Sequence, residues 1–97
     1  MLFDDEFKES VVSALEKKLS FEEDMNYICD YLKEVSHSKY NYYFNSGGFI
    51  CVDVGFDDVD EHISFFEDIV NCKYTSIRNL DGVTLLVSLS TLKECIF

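Results

Sequence analysis

Proline is absent from this sequence of 97 residues, and only 4 of its residues are glycine. Without proline, and without a serine-rich or glycine-rich stretch, the chain has no segment typical of a linker between domains. A chain of this length can enclose one modest hydrophobic core, and 47% of its residues are hydrophobic. We therefore expect one folded domain over residues 1–97.

Positive charge is also scarce, with 8 lysine and arginine residues against 19 aspartate and glutamate residues and a net charge of -11. The segment between Tyr40 and Cys72 contains seven carboxylates and no lysine or arginine. A protein this acidic repels nucleic acids and anionic membranes, because both are negatively charged, and it attracts proteins with a concentrated positive face. The charge therefore argues against direct binding to nucleic acid or membrane, and it favours a basic protein partner.

Long apolar runs are missing, since none approaches the roughly 20 residues that span a bilayer. The N-terminal segment Met1–Glu6 is acidic, whereas a signal peptide begins with basic residues followed by an apolar stretch. We therefore expect a cytoplasmic protein.

Cysteines are present, but no two of them form a C-x-x-C pair. Their spacing is not that of a zinc site or a disulfide framework. We interpret them as buried free thiols in a reducing compartment, with a disulfide bridge as the alternative. The four positions are Cys29, Cys51, Cys72 and Cys95.

Hydrophobic periodicity divides the chain into helices and hairpins. The predicted elements are helix 5–19, helix 20–36, strands 40–45 and 49–56, helix 57–70, strands 74–79 and 83–89, and a short helix within 90–97. Asp57 or Asp58 is expected to cap the third helix. The inner face predicted for that helix consists of Val59, Ile63, Phe66 and Val70, with Phe65 and Ile69 on its flank.

Three local signals support these boundaries. Ser20 and Glu23 have the spacing of a capping box at the start of the second helix, and Thr91 and Glu94 have the same spacing near the C-terminus. Asp81-Gly82 is a dipeptide typical of a type I′ hairpin turn. The resulting order, ααββαββ with a short terminal helix, predicts the α+β class, an antiparallel sheet of three or four strands with helices packed on one face.

Carboxylates dominate the outer faces of the predicted helices when each helix is projected at 100° per residue. A step of four residues advances about 6 Å along a helix, which is the scale of the spacing between successive phosphates on a nucleic-acid strand. The candidate partner-binding residues are Glu23, Tyr27, Asp30, Glu34, Asp53, Asp57, Asp60, Glu61, Glu67 and Asp68. The alternative is that acids in first helical turns favour the helix dipole, by roughly 0.3–1 kcal/mol each, and otherwise serve solubility.

Residues arranged for catalysis or metal binding are not evident. His37 and His62 stand at no metal-binding spacing, and we expect both at the surface or at the edge of the core. An acidic neighbourhood raises the pKa of a cysteine nucleophile and lowers its reactivity. The segment Asp57–Asp68 lacks the glycine and the closing glutamate of a calcium-binding loop. We therefore expect a binding protein rather than an enzyme, with no metal and no cofactor.

In its size, acidity and richness in Phe and Tyr, the chain resembles small phage-encoded inhibitors that mimic DNA, including acidic anti-CRISPR proteins. The resemblance covers the whole chain and rests on no diagnostic motif. It implies a phage-encoded protein that acts in the host cell and sterically blocks the basic DNA- or RNA-binding groove of a nucleic-acid-handling protein or ribonucleoprotein complex.

Two alternatives to this resemblance remain open. The first is an immunity protein or antitoxin that neutralises a basic nuclease toxin. The second is an acidic scaffold subunit that binds through exposed apolar positions such as Phe65 and Tyr43. The sequence does not indicate the oligomeric state.

Overall fold

The first two helices form an antiparallel hairpin in the computed structural model, which describes residues 3–16 and 22–97. Helix α1 spans Asp5–Glu16 and helix α2 spans Glu22–Val35. The Asp4 side chain accepts a hydrogen bond from the Phe7 amide at 2.9 Å, so it caps α1. The Tyr31 ring of α2 stacks on the Phe7 ring with 4.3 Å between the ring centroids. This contact holds the two helices together.

Sequence predictions at the junction of α1 and α2 lie partly outside the described residues. They are the capping box of Ser20, the core position Phe21 and the basic end of α1 at Lys17 and Lys18.

The sheet contains four antiparallel strands in the order β1-β2-β4-β3. Strand β1 spans Tyr42–Phe44, β2 spans Phe49–Gly55, β3 spans Thr75–Arg78 and β4 spans Gly82–Ser88. Both predicted hairpins are present, and the central pair joins β2 to β4. The α+β class and the antiparallel sheet predicted from the sequence are therefore confirmed.

The turn between β3 and β4 differs from the predicted type I′ turn at Asp81-Gly82. The amide of Asn79 donates to the Gly82 carbonyl at 2.9 Å, so the two central residues are Leu80 and Asp81. Neither has a positive φ, which a type I′ turn requires. Gly82 is instead a strand residue, where a Cβ atom would lie 2.0 Å from the Val54 carbonyl oxygen. Close approach of two strands, rather than turn conformation, explains this glycine.

The third helical segment is not a uniform α-helix. A 3-10 turn at Phe56–Asp58 leads into helix α3, Val59–Ser64, which continues as a π-helix over Phe65–Val70. The wider π turn brings the adjacent side chains of Phe65 and Phe66 into the core together. Phe65 is 4% exposed, so its assignment to an exposed flank was wrong, and it offers no surface for a partner.

Helix α4 follows β4 and spans Leu89–Ile96. Its cap is Ser88, whose hydroxyl accepts a hydrogen bond from the Thr91 amide at 3.1 Å, and not Thr91 as the sequence spacing suggested.

The core lies between the helices and one face of the sheet. It contains alternate strand residues, including Ile50, Val52, Val54, Leu85 and Val87, together with buried residues of α1, α2, the π-helical segment and α4. The intervening residues of the strands project from the opposite side of the sheet. Gly55, Gly82 and Ser88 lie at the strand ends on that side. The other eight residues there, here called the open face, are Tyr43, Phe49, Cys51, Asp53, Thr75, Ile77, Thr84 and Leu86.

Candidate partner-binding surface

The first part of the candidate set is a ridge on α2, formed by Glu23, Tyr27, Asp30 and Glu34. The three carboxylates are exposed, and Tyr27 is half-buried. The Tyr27 ring lies 6.1 Å from the Tyr31 ring, measured between centroids, at the edge of the helical hairpin. Desolvation, followed by the charges of nearby carboxylates that include Glu6, raises the pKa of Tyr27. The α2 ridge therefore meets the acidic start of α1 at this tyrosine.

The second part is a ridge along α3 and its flanking turns, formed by Asp57, Asp60, Glu61, Glu67 and Asp68. All five side chains are exposed. The π-helical turn changes which residues share a face, but it turns none of these carboxylates toward the core. The predicted acidic outer surface of this segment is thus present, although the segment combines 3-10, α and π turns instead of one continuous α-helix.

Asp53 stands apart from both ridges, on the open face of the sheet. Its carboxylate accepts hydrogen bonds from the Tyr43 hydroxyl, 3.0 Å from each carboxylate oxygen, and from the Thr84 hydroxyl at 2.5 Å. Tyr43 belongs to β1 and Thr84 to β4, on either side of the strand that carries Asp53. The ten candidate residues therefore occupy two helical ridges and one position on the sheet, rather than one continuous patch.

None of the nine carboxylates in the candidate set forms an ion pair with a cation among residues 3–16 and 22–97. The neighbouring Asp58 behaves differently, because its Oδ2 atom lies 3.2 Å from Lys39 Nζ. The carboxylates of both ridges and of Asp53 are exposed to water, where salt weakens their interactions with charges more than about 10 Å away. This is the electrostatic arrangement that the sequence predicted.

A groove of about 470 Å³ separates α2 from β1. Asp30 and Lys33 line one wall, and Asn41 and Tyr43 line the other. Lys33 Nζ donates to the Asn41 side-chain oxygen at 2.7 Å, so this lysine binds a neutral amide rather than Asp30. Because Tyr43 also belongs to the open face, the groove connects the α2 ridge with that face.

A buried polar cluster joins the start of α3 to the loop after α2. Asp58 was expected as a possible helix cap, but its side chain makes no cap hydrogen bond and instead accepts one from the Tyr40 hydroxyl at 2.6 Å. The hydrogen bond from Tyr40 and that from Lys39 lower the pKa of Asp58. This carboxylate therefore ties two segments together and does not belong to the α3 ridge.

His62 lies at the centre of this cluster and is only 5% exposed, so its predicted place at the surface or core edge was wrong. Its Nε2 atom lies 2.9 Å from Ser38 Oγ, and its Nδ1 atom lies 2.8 Å from the Asp58 carbonyl oxygen. A carbonyl only accepts, so Nδ1 carries a proton. His62 follows Val59 by three residues and precedes Phe66 by four, and that helical spacing was the signal for burial.

A serine beside a histidine is also the arrangement of a nucleophile and its general base. Here the Ser38 side chain is buried, and its hydroxyl lies within hydrogen-bond distance of both the amide and the carbonyl of Tyr40. Those contacts hold the turn after α2 in place. The Ser38–His62 pair therefore has a structural role.

Within the part of the chain that the structure describes, no three His, Cys, Asp or Glu side chains are grouped to hold a metal ion. No helix over the same residues combines the length and the apolar character needed to cross a bilayer. Comparisons with protein-family models, with curated proteins and with solved structures found no match to the chain.

Proposed function

We propose that this protein is an acidic inhibitor that mimics nucleic acid and blocks the basic DNA- or RNA-binding groove of a nucleic-acid-handling protein or ribonucleoprotein complex. The observation that supports the proposal is the set of nine exposed carboxylates without ion pairs among the described residues. Surface acids on helices are commonly balanced by lysines one turn away. Here they are not, although the mutual repulsion destabilises the fold.

The helical ridges supply charge at a suitable spacing. Asp30 and Glu34 are one turn apart on α2, about 6 Å along the axis, and Asp57 and Glu61 have the same separation in sequence at the start of α3. Basic side chains that hold successive phosphates can accept carboxylates at this pitch. The protein then acts as a steric competitor that approaches quickly because opposite charges attract.

An immunity protein or antitoxin would use the same ridges against the cleft of a single basic nuclease domain. The scaffold alternative has one supporting observation, because the apolar residues Tyr43 and Ile77 are exposed on the open face. The other apolar position named for that alternative, Phe65, is buried.

Competition for duplex DNA tests the proposal. A fluorescent duplex is bound to a CRISPR effector ribonucleoprotein or, separately, to a basic nuclease domain, and its release is followed by anisotropy as this protein is added. Release from the ribonucleoprotein alone supports the inhibitor, and release from the nuclease alone supports the immunity protein. Release that weakens steeply between 50 and 200 mM salt, roughly tenfold or more, is expected for a competitor held by several charges.

Charge reversal identifies the ridge responsible. The first triple variant combines Asp57→Lys, Glu61→Lys and Asp68→Lys, and a double variant combines Asp30→Lys with Glu34→Lys. A matched triple variant with the same change in net charge combines Glu9→Lys, Asp81→Lys and Glu94→Lys, at exposed positions off the α2 and α3 ridges. Loss of competition in the first triple but not in the matched triple supports mimicry by the α3 ridge. Equal competition by both triples and by the double variant contradicts it.

A further inference from the structure

The open face is a continuous surface across all four strands, as the strand register shows. Directly paired residues place Tyr43, Cys51, Leu86 and Thr75 in one row from edge to edge. The next row contains Asp53, Thr84 and Ile77, again as direct partners across strands. The sheet residues of the hydrophobic core cluster point the other way. Cys51 lies in the middle of the open face but is only 2% exposed, so the accessible surface of its row comes from the neighbouring side chains.

The open face combines partly exposed apolar side chains with a single charge. Tyr43 is 41% exposed and Ile77 is 53% exposed, while Phe49 and Leu86 are half-buried. Asp53 is the one charged residue among its eight members, in a protein with 19 acidic residues. Aromatic and aliphatic side chains with few charges are typical of the centre of a protein interface.

Asp53 is also held in place. The hydroxyls of Tyr43 and Thr84 approach its carboxylate from the two neighbouring strands. Holding a side chain in one position before binding lowers the entropy that a partner must remove. The result is a single oriented negative charge, without an ion pair to a described cation, in a mostly apolar surface.

We propose that the open face is the docking surface for a basic protein, and that an arginine or lysine of this protein pairs with Asp53 while apolar side chains cover Tyr43 and Ile77. The inference rests on the proposed function for the sign of the partner's charge, and it adds which face makes the closest contact. The helical ridges then accelerate association, and the open face slows dissociation.

The net charge of the chain favours a basic protein over a second copy of the chain, a nucleic acid or a membrane as the occupant of the open face. A second copy of the chain brings another net charge of -11 to the interface, and a nucleic acid or an anionic membrane is repelled in the same way. A basic protein surface is the occupant that is attracted both by Asp53 and by the net negative charge of the whole protein.

A small peptide probe tests the inference without knowledge of the natural partner. The probe is the capped tripeptide Trp-Arg-Trp, and its matched control replaces arginine with citrulline, which has nearly the same shape and no charge. Both are titrated into the full chain labelled with ¹⁵N, and amide chemical shifts are followed. We expect the arginine peptide to perturb Tyr43, Asp53, Thr84 and Ile77 and their neighbours, and to bind about fivefold more tightly than the citrulline peptide, as for a partly exposed ion pair.

Three variants make the test specific. Asp53→Asn should remove the difference between the two peptides, and Thr84→Val should reduce it because one of the two restraints on the carboxylate is lost. Glu94→Gln on α4 removes one negative charge at an exposed position outside the ridges and the open face, and it should leave the difference unchanged. The dispersion of amide signals confirms that each variant is folded.

Two outcomes overturn the inference. One is perturbation confined to α2 and α3 with equal binding by wild type and Asp53→Asn. The other is a dimer in sedimentation experiments whose formation covers the open face. Either outcome is separable from failure of the proposed function, because the competition experiment with charge-reversed ridges does not depend on Asp53.

Discussion

His62 Nε2 lies 2.9 Å from Ser38 Oγ, although the two residues are 24 positions apart and belong to α3 and to the loop after α2. Both side chains are buried. Removing one member leaves a buried polar group without its partner, at a cost of about 1–3 kcal/mol. We expect His62→Ala and Ser38→Ala each to lower the free energy of unfolding by at least this amount, measured by urea denaturation.

A double-mutant cycle isolates the contact between the two side chains. The double variant should be less destabilised than the sum of the single variants, with a coupling of about 0.5–3 kcal/mol. Ser64→Ala, at an exposed position of α3, is the control and should change the free energy of unfolding by no more than about 0.5 kcal/mol. Additive effects of the two buried substitutions would contradict the contact.

Gly82→Ala should destabilise the protein strongly. The added methyl group would lie 2.0 Å from the Val54 carbonyl oxygen, and that atom belongs to the backbone of the central strand pair. Overpacking of this kind typically costs about 1–3 kcal/mol, and more where backbone must move. Gly47→Ala provides the matched control, because its nearest neighbour would be 3.4 Å away. Equal urea midpoints for the two variants would show that β2 and β4 are less tightly paired than described.

The lowered pKa of Asp58 predicts that part of the stability of the fold is lost at acidic pH. Hydrogen bonds from Tyr40 and Lys39 lower the pKa of the folded carboxyl group below its ordinary value of 3.8. The ionised form therefore stabilises the fold above pH 3.8, and this contribution disappears as the pH falls through the folded pKa. Asp58→Asn should be less stable than wild type at pH 6, and the difference should shrink below pH 3.8.

The neighbouring Asp57 supplies the control for that experiment, since it is exposed and forms no ion pair within the described chain. Thermal unfolding of Asp57→Asn should show no loss of stability that depends on pH in this way. A constant difference between wild type and Asp58→Asn from pH 6 to pH 3 would contradict the role of the carboxylate.

The buried thiols should resist alkylation. Burial, and then a hydrogen bond with Cys95, raises the pKa of Cys72 to about 12, while burial and the charge of Asp30 raise the pKa of Cys29 to about 12. Few thiolates exist at pH 8 under these conditions, so both residues should react slowly with iodoacetamide, and faster as the pH rises. Peptide mass spectrometry after timed labelling measures the rate of alkylation at each cysteine.

The labelling rates in the folded protein are compared with those of the same cysteines in urea. In urea, Cys29 and Cys72 should be labelled as fast as an ordinary exposed cysteine, because burial no longer raises the pKa. The partly exposed Cys95 should be labelled first in the folded protein. Rapid labelling of Cys72 at pH 8 without denaturant would show that the segment after α3 opens readily.

Local patterns in the sequence predicted most of the elements. Helical spacing indicated a buried stripe on α1, and its members Phe7, Val11 and Ala14 are buried, although Leu15 of the same stripe is 36% exposed. The β-branched, apolar segment 49–56 was correctly predicted as a strand. Periodicity works here because each helix and strand buries one face only. The α+β class followed from the order of these elements.

Predictions that depended on a single residue's usual role were less successful. The Asp81-Gly82 pair favoured a turn, but Gly82 serves the contact between β2 and β4, and Asp58 binds Tyr40 instead of capping α3. Phe65 was placed on the flank because α-helical projection does not anticipate a π turn. The outcomes for Gly82 and Asp58 depend on neighbours distant in sequence, namely Val54 and Tyr40.

For the candidate partner-binding residues, the sequence predicted exposure but could not show how they are arranged relative to one another. Counting charges was enough to show an excess of carboxylates, and helical projection was enough to turn Glu23, Asp30 and Glu34 outward. Their role in binding stays a prediction. The hydroxyls that orient Asp53 come from β1 and β4, and sequence patterns could not reveal that constellation.

Composition and periodicity thus determined the net charge, the elements and the class of the fold, because these depend on the residues themselves and on contacts one turn or one strand away. Strand pairing across the sheet and packing between segments decided where individual side chains lie and which partners they contact. They left Asp53 oriented on an open face, and they buried His62 against Ser38. Such arrangements arise from long-range contacts, whose geometry exists only once the whole chain has folded.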